Sequence, residues 1–244
     1  MAETRAVFFD LDDTLIEFPG GFGGLLKRVY ALAVAAGAPE ALYDCFRRCF
    51  WSASIGAWAA MHAGTLSGDE VRRQRIVRAL AAVRLSDPGL AGDMLRLWDE
   101  LNVELPSLRP GATELLNITG SRAYIGVITD GFLTLQRRKL DRFCLWPYFR
   151  AVHISEEVGV CKPFRGIFQR ALECAAVQPE QAVMVGDNVN CDIRGALGVG
   201  MGAIHLVSPE TDAATPHGAS RATSLWQVAE VLQLRLRPSP VPEN

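Results

Sequence analysis

One short stretch near the start of the chain, residues 6–14, limits what this sequence can fold into. Residues 6–9 are small or apolar, and they run directly into carboxylates at Asp10, Asp12 and Asp13. A short apolar run of this kind is typical of a buried strand, and Asp is unfavourable inside strands. We therefore expect the strand to end at Asp10, with the carboxylates at the edge of a sheet where open α/β proteins bind ligands.

The same acidic stretch has a simpler explanation as a capped turn. Asp12, Asp13 and Thr14 are all favourable residues for turns and for helix N-caps. Carboxylates this close also repel one another, and each raises the pKa of the next unless a cation is present. The stretch alone leaves a turn and a cation site equally open, so the rest of the chain has to decide.

The remainder of the chain alternates predicted strands with predicted helices. Apolar runs predict four more buried strands, at residues 124–128, 151–154, 182–185 and 203–207. Helical patterns lie between them, and this alternation is typical of βαβ units with a parallel sheet. After the last strand we expect an exposed polar loop at residues 208–220, a closing helix at 223–235 and a disordered tail at 238–244.

A long helical segment separates the first strand from the second. Residues 25–105 contain no strand-like run, and their start and stop signals predict four helices, at residues 25–36, 40–61, 69–84 and 86–105. An insertion of this size favours a separate helical subdomain. We therefore expect a core made of residues 1–18 and 107–244, and a helical domain made of residues 19–106.

Composition excludes several classes of protein. The net charge of -2 gives no electrostatic reason to expect nucleic acid or an anionic membrane as a partner. No apolar stretch is long enough to span a bilayer, and the N-terminus lacks a signal-peptide pattern. The six cysteines form no C-x-x-C pair, so neither a zinc site nor a disulfide framework is indicated. A cytoplasmic protein with reduced thiols is the simplest expectation.

Chemically useful side chains follow the ends of the later strands. They are Thr129, Asp130 and Gly131 after the second strand, Lys162 after the third, and Asp187 and Asp192 after the fourth. Each one alone could be a turn residue, a solvated charge or a helix cap. Because parallel strands end at the same edge of a sheet, we expect all of them to lie near Asp10 and Asp12.

This combination of groups fits phosphate chemistry. Carboxylate oxygens without nearby His or Cys are the ligands that Mg²⁺ prefers. An ammonium, a hydroxyl and backbone N–H groups suit the oxygens of a phosphoryl group. A carboxylate near Mg²⁺ can attack phosphorus, and a second carboxylate two residues later can move the proton.

Four motifs, in this order, resemble the phosphatase type of the haloacid dehalogenase (HAD) superfamily. They are D-x-D-x-T at Asp10, Asp12 and Thr14, the strand-end Thr129, Lys162-Pro163, and G-D-x-x-x-x-D at Gly186, Asp187 and Asp192. The resemblance implies an α/β fold with a Rossmann-like parallel-sheet core. It also implies that the helical insertion is a four-helix cap subdomain between the first two motifs.

The resemblance also implies roles for individual residues. Asp10 would be the nucleophile and a Mg²⁺ ligand, and Asp12 would be the general acid and base, binding Mg²⁺ through its backbone carbonyl. The phosphoryl oxygens would be held by Thr129, by the backbone of Asp130 and Gly131, and by Lys162. Asp187 would complete the metal site, with Thr14 and Asp192 in support. Asp130 stands where many relatives have Asn, and its backbone role should survive that change.

These roles predict a Mg²⁺-dependent phosphatase that acts on a small phosphorylated metabolite through an aspartyl-phosphate. A phosphosugar mutase of the β-phosphoglucomutase kind, a 2-haloacid dehalogenase and a non-catalytic regulatory relative are the alternatives. Asp12 argues against the dehalogenase, because displacement of a halide needs no acid for the leaving group. The expected partner is a small phosphorylated substrate, with no nucleic acid and no membrane, and the protein could be a monomer or a homodimer.

Two groups of basic residues are interpreted as solvated surface. Arg72, Arg75 and Arg78 share one face of a predicted helix. Residues 137–139 form a short basic run in the helix that follows Gly131. We expect both groups to point into water.

Overall fold

A computed structural model of the chain describes residues 3–62, 64–208 and 213–233. The chain divides into two compact units. The first comprises Met1–Glu17 and Leu108–Asn244, and the second comprises Phe18–Ser107. The expected tail at residues 238–244 lies outside the described residues. Among the helices within the described ranges, none is both long and apolar enough to cross a membrane.

The first unit is built on a parallel sheet. The strands in chain order are β1 (Ala6–Phe9), β2 (Ile16–Glu17), β3 (Ser107–Leu108), β4 (Tyr124–Thr129), β5 (Ala151–Ile154), β6 (Ala182–Gly186), β7 (Gly202–Leu206) and β8 (Ser220–Ala222). The main sheet has the order β5-β4-β1-β6-β7-β8, and β2 pairs with β3 separately. Phe9 lies between Val127 of β4 and Val185 of β6, so β1 is a central strand flanked by the two strands that carry later motifs.

The other regular elements of both units are mainly α-helices. They are α1 (Gly21–Ala35), α2 (Tyr43–His62), α3 (Gly68–Ala82), α4 (Pro88–Glu104), α5 (Ala112–Gly120), α6 (Leu133–Arg142), α7 (Ser155–Val158), α8 (Arg165–Ala175), α9 (Arg194–Gly198) and α10 (Leu225–Gln233). The first four belong to the second unit and the others to the first. Short 3₁₀ turns precede α2, β5 and β6, and a π-helical turn at Val189–Ile193 leads into α9.

Alternation along β1 explains why helices cover both faces of the sheet. Val7 and Phe9 join a core cluster that includes residues of α5 and α10. Ala6 and Phe8 point to the opposite face and join a cluster that includes residues of α8 and α9. All four side chains are fully buried, as expected for a strand inside a parallel sheet. The predicted α/β fold with a parallel sheet is confirmed.

The edge strand β8 was not predicted. It occupies Ser220–Ala222, starting at the last residue of the segment expected to be a loop, and it pairs with β7. Three residues with a polar start carry no apolar run, so their strand conformation depends on the neighbouring edge of the sheet.

The second unit has its own apolar core, and one arginine lies inside it. Fully buried Phe46, Phe50 and Met94 pack together with Trp98. The Arg75 guanidinium lies 4.8 Å from the ring centre of Phe50 and 5.0 Å from that of Trp98, and the residue is only 4% exposed. Burial lowers the pKa of Arg75 to about 9. The expectation of a solvated arginine face is therefore wrong for Arg75, because the two rings offer the cation a favourable buried surface.

Candidate active site

Asp10 follows β1 directly and lies at the carboxyl edge of the sheet. Its backbone N–H donates to the carbonyl oxygen of Val185 at 2.9 Å, which continues the pairing between β1 and β6. The residue is 7% exposed, so its carboxylate is almost completely removed from bulk water. An ionised group in such a place requires a partner of opposite charge.

Lys162 supplies that partner, and its ammonium contacts three acceptors. Nζ lies 2.7 Å from Asp10 Oδ1, 2.6 Å from Asp192 Oδ1 and 3.0 Å from the carbonyl oxygen of Ile128. An ammonium group has three N–H donors, so the contacts within the chain account for all of them. Lys162 is 4% exposed and Asp192 is fully buried. The side chains therefore form a buried cluster of two carboxylates and one ammonium.

Gly186 makes room for Asp192 in this cluster. A Cβ on Gly186 would lie 2.3 Å from Oδ2 of Asp192, far inside van der Waals contact. Oδ2 also accepts the backbone N–H of Asn188 at 2.9 Å, which fixes the carboxylate in that place. The glycine that ends β6 is therefore required by close packing.

This packing gives a first prediction. Gly186→Ala should destabilise the protein by about 1–3 kcal/mol, because the new methyl group must displace Asp192. Urea denaturation measures the loss. Gly198→Ala is the matched control, since a Cβ there meets nothing within 4 Å and a helical Gly→Ala change is neutral or stabilising. Equal midpoints for the two variants would contradict the packing described here.

Asp187 brings a third carboxylate to the same edge. Single carboxylate oxygens of Asp10, Asp187 and Asp192 all lie within 4.8 Å of one another. The Thr14 hydroxyl donates to Asp187 Oδ1 at 3.2 Å. His205 Nε2 lies 3.1 Å from the backbone carbonyl oxygen of Asp187, so that nitrogen is the protonated one.

The electrostatics of this group favour a bound cation. Burial raises the pKa of Asp10 well above its usual range; Lys162 opposes the rise, and the carboxylates of Asp192 and Asp187 add to it. Burial also raises the pKa of Asp187 to about 7, and the carboxylates of Asp192 and Asp13 raise it further.

The candidate metal ligands in this cluster are all carboxylate oxygens, which suits Mg²⁺. Both oxygens of Asp192 already accept protein hydrogen bonds, so Asp10 and Asp187 are the carboxylates best able to face a metal ion.

Asp12 lies in a different set of contacts. Lys139 Nζ is 2.7 Å from Asp12 Oδ1 and 2.9 Å from Oδ2, and Gln136 Nε2 donates to Oδ2 at 2.9 Å. Lys139 and Gln136 are each 1% exposed. The expectation that residues 137–139 are all surface is therefore wrong for Lys139, although Arg137 and Arg138 are exposed. The spacing of Leu135, Gln136, Lys139 and Leu140 along one buried helix stripe is the signal that could have indicated this.

The residues after β4 are held by neighbouring side chains. Thr129 is fully buried and its Oγ1 accepts from Gln136 Nε2 at 2.7 Å, which leaves its own hydroxyl hydrogen free to donate. Asp130 Oδ1 accepts the backbone N–H of Lys162 at 3.0 Å, and burial raises the pKa of Asp130. The backbone N–H of Gly131 donates to Ser155 Oγ at 3.1 Å. The Gly131 N–H is thus used within the chain, whereas the Thr129 hydroxyl hydrogen is left for a further acceptor.

Comparison with known proteins gives one consistent family. The family model described as a haloacid dehalogenase-like hydrolase matches residues 4–200. The chain is 32% identical to pyrimidine 5'-nucleotidase YjjG of Escherichia coli, with 93% of this chain and 96% of that protein covered. It is 30% identical to glyceraldehyde 3-phosphate phosphatase of Methanothermobacter thermautotrophicus, with 95% of this chain and 98% of that protein covered.

A solved structure shares the fold. The HAD-hydrolase YfnB from Bacillus subtilis, in a form bound to magnesium, matches with a TM-score of 0.69 at 22% identity, covering 95% of this chain and 100% of that one. The family model matches most of the chain, and the nucleotidase and phosphatase relatives align with it over nearly their full length. This protein is therefore a member of the haloacid dehalogenase-like hydrolase family.

Proposed function

We propose that this hydrolase is a Mg²⁺-dependent phosphatase that cleaves a small phosphomonoester through an aspartyl-phosphate at Asp10. The observation that carries the proposal is the separation of the two carboxylates. Asp10 contacts Lys162 and lies near Asp187, whereas Asp12 contacts Lys139 and Gln136. Two carboxylates with different partners suit two different tasks, attack and proton transfer.

The donor set fits Mg²⁺, and three residues would hold it. These are the carboxylates of Asp10 and Asp187 and, as the family resemblance implies, the backbone carbonyl of Asp12. When bound, the ion would supply the positive charge that lets a carboxylate approach a phosphate dianion. Asp192 would stay with Lys162 and would orient the lysine toward Asp10.

In the first chemical step, Asp10 attacks phosphorus. Lys162 holds Oδ1, and no hydrogen bond of the described residues involves Oδ2, so Oδ2 is the attacking oxygen. Its lone pair forms the new P–O bond while the bond from phosphorus to the leaving oxygen breaks. The leaving oxygen keeps that electron pair and takes the proton of the Asp12 carboxyl group.

In the second step, water hydrolyses the aspartyl-phosphate. The Asp12 carboxylate removes a proton from water, and the water oxygen forms a bond to phosphorus. The bond between phosphorus and Asp10 breaks, which regenerates the Asp10 carboxylate and releases phosphate. The Thr129 hydroxyl donates to a phosphoryl oxygen, and the positive charge of Lys162 acts beside Asp10. Lys162 Nζ already donates three hydrogen bonds within the chain, so it would have to give up one of them to contact a phosphoryl oxygen directly.

The proposal includes a division of labour along the chain. Residues 1–18 and 107–244 form the catalytic core, and residues 19–106 form a helical cap that selects the substrate. The relatives act on different compounds, since one is a pyrimidine 5'-nucleotidase and another, from Thermus thermophilus and 30% identical, is a phosphoserine phosphatase. The substrate of this chain is therefore proposed only as a small phosphomonoester.

A phosphate-release screen tests the proposal. The panel contains p-nitrophenyl phosphate, pyrimidine nucleoside monophosphates, glyceraldehyde 3-phosphate, phosphoserine, sugar phosphates and phosphoglycolate, each with Mg²⁺ and with a chelator. We expect Mg²⁺-dependent release from p-nitrophenyl phosphate and faster release from one panel member. A 2-haloacid is included because a 26% identical structure is a 2-haloacid dehalogenase from Pseudomonas syringae. Halide release without phosphate release would contradict the proposal.

Mg²⁺ should also stabilise the protein, and more so at high pH. Without the ion, the pKa of Asp187 is about 7 when folded and near its ordinary value when unfolded. The unfolded chain then loses its proton first, so stability falls as pH rises between about 4 and 7. Because Mg²⁺ binds the ionised form, we expect it to raise the melting temperature by about 5–10 °C at about pH 8 and by less than half of that at about pH 5.

Differential scanning fluorimetry with MgCl₂, against NaCl of equal ionic strength, measures this effect. Asp187→Asn is the matched variant and should lose most of the Mg²⁺ shift. A shift of the same size at both pH values, or one reproduced by NaCl, would contradict the metal assignment.

A further inference from the structure

Two buried polar side chains of α6, Gln136 and Lys139, take no part in the two chemical steps proposed for Asp10 and Asp12. Lys139 and Gln136 lie one helical turn apart and are each 1% exposed. Both project toward Asp12. A lysine is almost never buried to this degree unless it is paired, so its position needs an explanation.

We propose that Lys139 and Gln136 are positioning residues that hold the Asp12 carboxylate for proton transfer and link it to the phosphate-binding Thr129. The inference rests on the proposed function, because it gives Asp12 the proton-transfer role. It adds two residues that act through the side chain of Asp12.

The contacts fix Asp12 at both carboxylate oxygens. Lys139 Nζ reaches Oδ1 at 2.7 Å and Oδ2 at 2.9 Å, and Gln136 Nε2 reaches Oδ2 at 2.9 Å. The Asp12 side chain keeps 13% of its surface exposed, whereas that of Lys139 keeps 2%. The carboxylate therefore stays accessible to a leaving group while its supports lie beneath it.

Gln136 extends the support to Thr129. Its Nε2 lies 2.7 Å from Thr129 Oγ1 and 3.3 Å from the backbone carbonyl oxygen of Asp130. Because the Asp12 carboxylate can only accept, it sets the orientation of the amide and takes one of its two N–H groups. The other N–H points to Thr129 Oγ1 and is shared with the more distant carbonyl oxygen of Asp130. Thr129 Oγ1 thus accepts a hydrogen bond from Gln136, and its own hydroxyl hydrogen is left to donate. One side chain thus sets both the proton carrier and a phosphoryl contact.

Gly131 shows that the fold makes space for this arrangement. A Cβ on Gly131 would lie 2.8 Å from both Cδ and Nε2 of Gln136. Any larger residue would push the amide away from Thr129 and Asp12. The glycine after β4 thus leaves room for the side chain of Gln136 to reach from α6 to the end of the strand.

Stability alone does not account for the pair. A buried ion pair is commonly no more stabilising than apolar side chains of the same size, because both charges lose their hydration. Leu135 and Leu140 show that this stripe of α6 packs well with apolar residues. A lysine and a glutamine in the middle of the stripe are explained by what they do to Asp12.

The dependence on the leaving group separates a positioning role from a structural one. p-Nitrophenolate departs without a proton, whereas an alkoxide needs the proton of Asp12. Asp12 is also the base of the second step, which both substrates share, so the rate to compare is that of Asp10 phosphorylation in a rapid-quench single turnover. Lys139→Met should lower this rate for glycerol phosphate by about 100-fold or more, and for p-nitrophenyl phosphate by less than about tenfold. Gln136→Leu should show the same selectivity with a smaller loss. Lys139→Arg, which keeps the charge, should recover most of the activity.

Controls keep the test decisive. Arg138→Met changes an exposed basic residue in the same helix and should leave both rates unchanged. Circular dichroism and melting curves verify that each variant is folded, and Gln136→Leu carries the test if Lys139→Met does not fold. If both rates fall equally, or neither falls, in folded variants of an active enzyme, the positioning role is wrong and the phosphatase assignment stands. If the wild-type protein hydrolyses neither substrate, the proposed function fails first.

Discussion

Asp10→Asn should abolish Mg²⁺-dependent phosphate release, with a loss of at least about 1000-fold in kcat. An amide cannot form the acyl-phosphate, so the variant lacks the attacking carboxylate oxygen at position 10. The fold should survive, since the change removes one of three crowded carboxylates and leaves the bond between Lys162 and Asp192 in place. A stopped assay with the best substrate of the panel measures the loss, and Asp10→Ala should reproduce it.

Asp13→Asn is the control for that variant. Asp13 belongs to the same acidic stretch, and its backbone is in the left-handed region with φ of 56°, which Asn also tolerates. Its carbonyl oxygen accepts from Arg109 at 2.8 Å, and the substitution leaves that bond intact. We expect its kcat to stay within about threefold of the wild type. More than a few per cent of the wild-type rate in Asp10→Asn would show that Asp10 is not the nucleophile.

Lys162→Met should have the largest effect on stability. The change leaves Asp10 and Asp192 buried without the ammonium that lies 2.7 Å and 2.6 Å from them. Removing one partner of a buried ion pair costs about 3–5 kcal/mol, and the second stranded carboxylate places this variant toward the upper end. Activity should fall by on the order of 100–1000-fold, because the charge beside Asp10 is lost as well.

Urea denaturation of three variants isolates this effect. Lys27→Met alters an exposed lysine of α1 and should change stability by less than about 0.5 kcal/mol. Lys162→Met with Asp192→Asn removes one of the stranded charges and should recover part of the lost stability. If Lys162→Met unfolds at the same urea concentration as Lys27→Met, the ion cluster does not hold this edge of the sheet together.

The fold could be predicted from sequence because its central strands are continuous apolar runs. Phe8 and Phe9 point to opposite faces of the sheet and both are apolar. Such runs between helical patterns leave few alternatives to a parallel sheet. The strand β8 could not be predicted in this way. Its residues pair at the edge with β7, and their local sequence has no strand preference of its own.

The candidate site was only partly predictable. Motif spacing places Asp10 after β1, Asp187 after β6 and Lys162 in a loop after β5, and the sheet topology then brings them together. The helical stripe of α6 indicates that Lys139 is buried, but its partner Asp12 depends on how α6 packs on the end of β4, which the stripe does not specify. One signal was present in the composition: of the 25 basic residues only three are lysines, and two of these three, Lys139 and Lys162, are buried beside carboxylates.

Chemical trapping of the phosphorylated enzyme tests the central claim most directly. Brief incubation with the best substrate and Mg²⁺, followed by acid quenching and borohydride reduction, converts an aspartyl-phosphate to a reduced side chain that peptide mass spectrometry can locate. If Asp10 is the nucleophile, reduction occurs at Asp10 in a substrate- and Mg²⁺-dependent way, and it is absent in Asp10→Asn and absent at Asp12 and Asp13. Reduction at another residue, or steady phosphate release with no modified Asp10 during turnover, would contradict it.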